Sequence, residues 1–493
     1  MIPLKTLIQV DKTCHVPVYL QIAQSIICEI QKGILKAGTK LPGSRVTSEL
    51  LEVHRKTVVK AFEELESQGW IEIIPYKGTF ITQYLPQVKV RPLILGNHQQ
   101  NLAQKNHLKV QVHPVLTPAI VDSHRLGFDD GSPDVRLAPI NELAKTYAST
   151  LRNIDPKKML GYGDTSGMVS LRKTLASELN KTRGLNISAA NIMITKGSQM
   201  AIYIAAATLL KKGDSIIIGE TNYFTANITF EYVGAHLERI PVDEEGLVVD
   251  VIEQICKKKK IRAVYVTSHH HHPTTVTLSP QRRIHLLALA EKYHFAIIED
   301  DYDYDYHYAN SPALPLASAD RNGLVTYIGS FTKNTAPAFR IGYMIAPEYM
   351  IAAYTQLRRI LDRQGDPVLE LALAELIQDG IIRRYLKKSL KQYRKRRDLC
   401  VQLLQERLGE HIDFNIPNGG MAIWATFNKK IDLPKLSQLA HQNDLYLSNG
   451  LNYNPPGKKL NACRMGFASR NLDEIEESVI LLEKLIQQFL SKE

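Results

Sequence analysis

Apolar positions along the chain fall into two textures. Over residues 1–82 they recur at helical spacing. Val18, Ile22, Ile26 and Ile30 stand at i, i+4 intervals and predict a helix over about 18–32, opened by Pro17, where a missing N–H costs nothing. Gly33 and Gly38 mark a turn, Leu41-Pro42 interrupts the chain, and Ser44 is placed to cap a second, short helix. A third helix follows His54, turns Val58, Phe62 and Leu65 inward, and stops at Gly69. Residues 70–74 and 78–81 then read as a two-stranded hairpin with its tip at 76–78. From about residue 121 the texture changes. Short β-branched runs at 215–218, 263–266, 295–298 and 325–328 alternate with helical stretches such as 282–293. That alternation predicts βαβ units around a buried, mainly parallel sheet, hence an α/β fold. In between, Asn97-His98-Gln99-Gln100-Asn101 carries no apolar period. The expected organisation is a small domain at 1–82, a linker at 83–120 with one short helix near 102–109, and a large domain at 121–493.

Composition narrows the class. The 493 residues, 44% of them hydrophobic and 23% charged, suit two to four folded units and exclude disordered or collagen-like chains. No apolar run approaches the roughly 18–20 residues that span a bilayer, and no long apolar segment follows the basic start, so no secretory leader is expected. Five cysteines (Cys14, Cys28, Cys256, Cys400, Cys463) are scattered without a C-x-x-C pair, which points to free thiols in the cytoplasm rather than disulfides or zinc. The formal charge of +11, from 61 basic and 50 acidic residues, suits a polyanionic partner. Two basic runs stand out. Lys257 to Lys260 reads as a solvated helix end, and Arg383 to Arg397, with nine basic residues, as a solvated helix face or an auxiliary contact to a phosphate backbone.

The small domain has the order of a winged helix-turn-helix. Arg55, Lys56, Thr57 and Lys60 crowd the first turns of its third helix, the end that would enter a major groove, while the wing offers Lys77 and Gly78. The stretch 17–81 resembles the GntR family of bacterial repressor DNA-binding domains. It has Pro17, Tyr19 and Gln21 at its start, Leu-Pro-x-Ser-Arg at 41–45, Arg-x-Thr-Val-Val-x-Ala at 55–61, and Gly-Thr-Phe at 78–80. The resemblance implies double-stranded DNA as partner, with Ser44, Arg45, Arg55, Thr57, Lys60 and Gly78 as contacts. Lys56 departs from the polar residue common after that arginine, so no base preference carries over.

The large domain holds four elements of candidate chemistry. Lys333, in Ser330-Phe331-Thr332-Lys333, follows a buried strand, where desolvation would free its amine for Schiff-base formation. Ser330 and Arg340 could donate to a phosphate from the same loop, although the segment also reads as an ordinary polar strand end. Asp300, in the run Glu299 to Tyr302, could pair with a protonated pyridine nitrogen; the alternative is an acidic loop that caps a helix or binds a cation. Gly197-Ser198-Gln199 turns from a strand into a helix N-terminus, a site for anions. Tyr223 could stack on a planar ring or simply pack.

Together these resemble the class I/II aminotransferases, the type I fold of pyridoxal phosphate enzymes, over about 125–485. Gly161-Tyr162-Gly163-Asp164, Asn418-Gly419-Gly420 and Arg464-Met465-Gly466-Phe467 belong to the same resemblance. It implies a mainly parallel sheet with flanking helices, a smaller C-terminal subdomain, and pyridoxal 5′-phosphate as cofactor. Lys333 would form the internal aldimine, Asp300 would face the pyridinium, and Tyr302 would donate to the phenolic oxygen. Tyr223 would stack on the ring, and Ser198, Gln199, Ser330 and Arg340 would hold the phosphate. Tyr162 would reach the neighbouring subunit's phosphate, and Arg464 would clamp an incoming α-carboxylate. One departure is His269-His270-His271-His272-Pro273-Thr274-Thr275, where the family has a Pro-Thr/Ser-Gly turn. Alternating strand faces argue against a shared metal ion, so one imidazole is expected to line the pocket and no metal is expected.

A GntR-like head joined to an aminotransferase-like body resembles the MocR/GabR-type transcriptional regulators. This implies a head-to-tail homodimer that binds operator DNA and senses an amine or amino acid, or pyridoxal phosphate itself, through aldimine formation. The alternative is a working aminotransferase of the 2-aminoadipate or aromatic type.

Overall fold

The computed structural model describes residues 4–14, 16–86, 124–308 and 312–491. The chain divides into two compact units, Met1–His113 and Pro114–Glu493. Most of the expected linker, with its helix near 102–109, lies outside the described residues.

In the first unit, helices Val18–Gln31, Ser44–Leu50 and Arg55–Ser67 stand beside an antiparallel sheet ordered Lys40–Leu41, Gly78–Ile81, Ile71–Ile74. The i, i+4 stripe of the first helix is the core: Ile22, Ile26 and Ile30 bury against Val58, Phe62, Leu65 and Trp70. Each such side chain contributes about 1.5–3 kcal/mol relative to its exposed state. The two-residue strand Lys40–Leu41 was too short to register as a periodic pattern. Ser44 is not a cap. Gly43 holds the cap position and Ser44 is the first helical residue, which leaves its hydroxyl to accept from Arg55 Nε at 3.4 Å. The third helix is capped by His54, whose Nδ1 accepts from the Lys56 N–H at 3.2 Å.

The second unit centres on a seven-stranded sheet. Its order is Ile192–Thr195, Gly342–Ile345, Val325–Ser330, Ala296–Asp301, Ala263–Val266, Ser215–Gly219, His236–Ile240. All neighbours are parallel except Gly342–Ile345, which runs against both of its own. The central strands are buried on both faces, which is why their first residues read as mainly apolar runs rather than alternating ones. A smaller antiparallel sheet, Ile412–Phe414, Ala422–Phe427 and Ala462–Gly466, packs with helices Ile381–Leu408 and Leu472–Leu490 into the C-terminal subdomain. The body's first described strand, Leu126–Phe128, pairs in parallel with Leu445–Leu447 of that subdomain.

Two strands run further than apolar patterning indicates. Register pairs Asp300 with Ile328 and Asp301 with Gly329, so the acidic residues are part of a strand rather than a loop after it. The basic helix is not uniformly solvated either: Arg396 is buried and its Nη2 lies 2.9 Å from Asp134 Oδ2.

Candidate functional site

The parallel strands end on one side of the sheet, the position at which α/β folds bind ligands. A cavity of about 180 Å³ opens there, and Ser198, Gln199, Tyr223, Asp300, Tyr302, Ser330, Lys333 and Arg340 all face it. Strand Val325–Ser330 delivers Lys333. The Lys333 ammonium donates to the Gly131 carbonyl at 2.6 Å, and burial lowers its pKa, opposed by Asp129, Asp130 and Asp303. An amine so placed is closer to its nucleophilic form than a surface lysine.

Across the cavity, Asp300 Oδ2 accepts from the Tyr265 hydroxyl at 2.8 Å, while Oδ1 is buried without a hydrogen-bond partner among the described residues. Burial pushes this carboxyl up to about 7, against the Tyr265 bond that pulls it down. A buried carboxylate oxygen lacking a donor is costly until a cation or N–H meets it. The other end suits an anion. Helix Ser198–Leu209 starts at the cavity, and Gly197 before it takes φ +80°, where an added Cβ would come within 2.7 Å of Arg340 Nη2. That guanidinium donates to the Lys196 carbonyl at 3.2 Å and crosses the helix N-terminus. Buried Gln199 Oε1 is without a hydrogen-bond partner among the described residues, and Ser330 Oγ donates to Thr332 Oγ1 at 2.8 Å. A buried amine, a carboxylate with one oxygen left over and an anion cradle, all around one cavity, fit an aldehyde-bearing pyridine with a phosphate arm.

Tyr302 faces the cavity, but its hydroxyl donates to the His270 carbonyl at 3.1 Å and is not free for a phenolic oxygen. Tyr223 meets the His272 ring edge-on, with centroids 5.0 Å apart. Tyr162 lies away from the cavity, 82% exposed, under the Arg363 guanidinium. Arg464 stands one layer behind the wall. Its Nε is 3.0 Å from Asp130 Oδ1 and its Nη1 donates to the Pro273 carbonyl at 3.1 Å.

The four histidines follow the end of strand Ala263–Val266 and are not in a strand, so the alternating-face argument does not apply to them. Each is buried with its own partner: His269 with Asp301, His270 with Asp303, His271 with Thr274 and His272 with Asp130. Burial pushes His271 down to about 3 and also lowers His272. His272 is the one that lines the cavity. Sequence reading missed Asp130, Tyr265, Thr267 and Thr332 on the wall. Thr332 lay inside the quoted lysine motif, whereas nothing local marks Asp130.

On the first unit, Arg45, Arg55 and Lys60 are exposed and Ser44, Thr57 and Gly78 half-buried. Arg55 and Ser44 touch, which joins the second and third helices. The Lys60 ammonium sits 4.2 Å from the Tyr19 ring centroid. Gly78 takes φ +119° in the wing, beside a fully exposed Tyr76.

Residues 128–479 match the family described as aminotransferase class I and II, and residues 18–81 match the gntR family of bacterial regulatory proteins. The chain is 27% identical over 475 residues to an uncharacterized HTH-type transcriptional regulator, YisV, of Bacillus subtilis, with 96% of each chain covered. It is 25% identical to the probable rhizopine catabolism regulatory protein MocR of Rhizobium meliloti, over 90% of this chain and 87% of that one. Among solved structures it is similar to a multiple substrate aminotransferase from Thermococcus profundus, with TM-score 0.70, 27% identity, and coverage of 75% of this chain and 93% of that one. A Pyrococcus horikoshii kynurenine aminotransferase in complex with PMP gives TM-score 0.69 at 28% identity, over 74% of this chain and 91% of that one. The chain thus belongs to the class I and II aminotransferase family, with a winged helix-turn-helix domain of the GntR family ahead of the aminotransferase body.

Proposed function

We propose that the chain is a DNA-binding transcriptional regulator whose body binds pyridoxal 5′-phosphate and senses an amine or amino acid. The observation that carries this is the coexistence, in one chain, of a basic helix-turn-helix face and a cavity that gathers Lys333, Asp300 and an anion cradle. When bound, the coenzyme supplies an electrophilic aldehyde carbon that captures primary amines. Lys333 offers the amine beside it, Asp300 balances a cationic ring nitrogen, and Tyr223 lies against the ring. Arg340, Ser198, Gln199 and Ser330 hold the phosphate, and Asp130, with Arg464 behind it, borders the space left for the effector. Tyr162, exposed at the surface, is assigned to the phosphate of a partner subunit in a head-to-tail homodimer. On the head, Arg45, Arg55, Lys60, Thr57, Ser44 and Gly78 contact operator DNA, in the cytoplasm.

Effector binding alters DNA affinity only if the two conformations of the body bind the effector unequally. The site loop is suitably placed for this: Asp129, Asp130 and Gly131 directly follow Leu126–Phe128, the strand with which the described body begins. The second reading, a working aminotransferase, is favoured by the presence of Lys333 and Asp300 at one cavity and by the similarity to a multiple substrate aminotransferase. In a third, pyridoxal phosphate itself is the signal.

The deciding experiment titrates the coenzyme-loaded protein with primary amines and follows visible absorbance and operator affinity together, with Lys333→Ala as control. A regulator changes both signals in parallel without sustained keto-acid release. Sustained release at enzyme-like rates with unchanged operator affinity would overturn the proposal.

A further inference from the structure

We infer that the pocket takes a primary amine without a carboxylate beside its amino group, because the chain's own Asp130 occupies the place where that carboxylate would pair with Arg464. The inference rests on the proposed function and deepens it to a ligand class.

Arg464 is buried to 2% exposure and its Nε faces Asp130 Oδ1 at 3.0 Å. Its Nη1 is already spent on the Pro273 carbonyl. Asp130 does not reach it by chance, since two further groups fix the carboxylate. The Tyr453 hydroxyl donates to Oδ1 at 2.7 Å, and His272 Nε2 lies 3.1 Å from Oδ2. The loop itself is tied down. Asp129 Oδ1 accepts from the N–H groups of Gly131 and Ser132, both at 2.8 Å, and the Asp129 carbonyl accepts from the Gly466 N–H at 2.7 Å, two residues beyond Arg464.

Charge decides what such a pocket welcomes. An α-amino acid brings a second carboxylate to a guanidinium that is already neutralised. It must displace Asp130 from three partners or sit against it, and like charges a few Å apart repel. An amine lacking that carboxylate meets no such conflict. The Asp130 side chain is 51% exposed, and it faces the cavity. Its open side therefore offers an acceptor to a second cationic group, so a diamine suits the site better than a monoamine.

The test titrates the coenzyme-loaded full chain with matched pairs differing only by the carboxylate: cadaverine against lysine, and putrescine against ornithine. Half-saturation of the coenzyme's absorbance change is read for each. The wild type should favour the diamines by on the order of tenfold or more. Asp130→Asn, which frees Arg464 without removing the hydrogen-bonding group, should shrink or invert that ratio. Asp130→Ser repeats the measurement should the first variant fold poorly. Equal or tighter response to lysine and ornithine, or an unchanged ratio in both variants, overturns the inference while leaving an amine-responsive coenzyme protein in place. Absence of coenzyme absorbance, or no response to any of the four, sinks the proposed function and this inference with it.

Discussion

Asp300 gives the sharpest physical prediction, because its charge is expensive until something binds. Its carboxyl rises from an ordinary 3.8 to about 7, chiefly by burial. At 1.36 kcal/mol for each pH unit of that gap, the ionised carboxylate costs the coenzyme-free body about 4 kcal/mol. Below pH 3.8 the group is protonated in both folded and unfolded chains and costs nothing. Between 3.8 and about 7 the unfolded chain loses its proton while the folded body keeps it, so stability falls as pH rises. Above pH 7 the full cost remains.

Asp300→Asn removes the charge but keeps an acceptor for the Tyr265 hydroxyl, and leaves amide N–H groups unpaired at a cost of about 1–3 kcal/mol. At pH 8 the coenzyme-free variant should therefore be more stable than wild type by about 1–3 kcal/mol. At pH 4 it should be equal or less stable. The assay is urea unfolding of the coenzyme-free body from pH 4 to 8, read as variant minus wild type, so that titrations shared by both proteins, such as those of His269 and His272, cancel. Loading with pyridoxal phosphate should reverse the order at pH 8 if Asp300 holds the proposed role, since a cationic ring nitrogen would then balance the wild-type carboxylate. A difference independent of pH, or a variant less stable at pH 8 without coenzyme, refutes the reasoning.

Arg55→Ala should weaken operator binding and lower the slope of log affinity against log salt by about 1 if the side chain holds a phosphate; an unchanged slope and affinity removes it from the interface. Arg396→Met should destabilise the body by about 2–3 kcal/mol in urea unfolding, less than for a charge left alone, because Asp134 keeps Arg136 at 2.8 Å. The exposed neighbour Arg394→Met should change stability by less than about 0.5 kcal/mol. Gly197→Ala places a Cβ 2.7 Å from Arg340 Nη2 at a positive φ, so coenzyme affinity, measured by equilibrium dialysis, should fall at least about tenfold while the far-ultraviolet spectrum stays unchanged.

What the sequence made legible follows chain distance. The strand cores at 216–218, 263–266 and 325–328 announce themselves because burial on both faces leaves them mainly apolar, with Thr326 buried among them. Lys333, Asp300 and the Gly197-Ser198-Gln199 turn were readable because each sits at, or within a few residues of, the end of such a strand, so a local pattern carries the position. Strand ends were less legible: Asp300 and Asp301 are acidic, yet ladder pairing with Ile328 and Gly329 carries the strand through them. Ser44 was misassigned as a cap because a good capping residue and a first-turn serine look alike without backbone angles. The His269–His272 run invited a strand argument that fails because the strand stops at Val266.

Asp130 was illegible for the opposite reason. Its meaning depends on His272, which lies 142 residues away in sequence, and on Tyr453 and Arg464 of the C-terminal part of the chain, the region with which Leu126–Phe128 pairs. That same placement bears on signalling. Swinging a two-state body from 1:99 to 99:1 takes about 5.5 kcal/mol of differential binding. Hydrogen bonds to charged groups are worth about 1.5–3 kcal/mol each, and the loop 129–131 makes several, among them the Lys333 ammonium to Gly131 and the Tyr453 hydroxyl to Asp130. A ligand that exchanges two or three of them acts on a segment one short strand into the described body, with enough free energy at stake to move it.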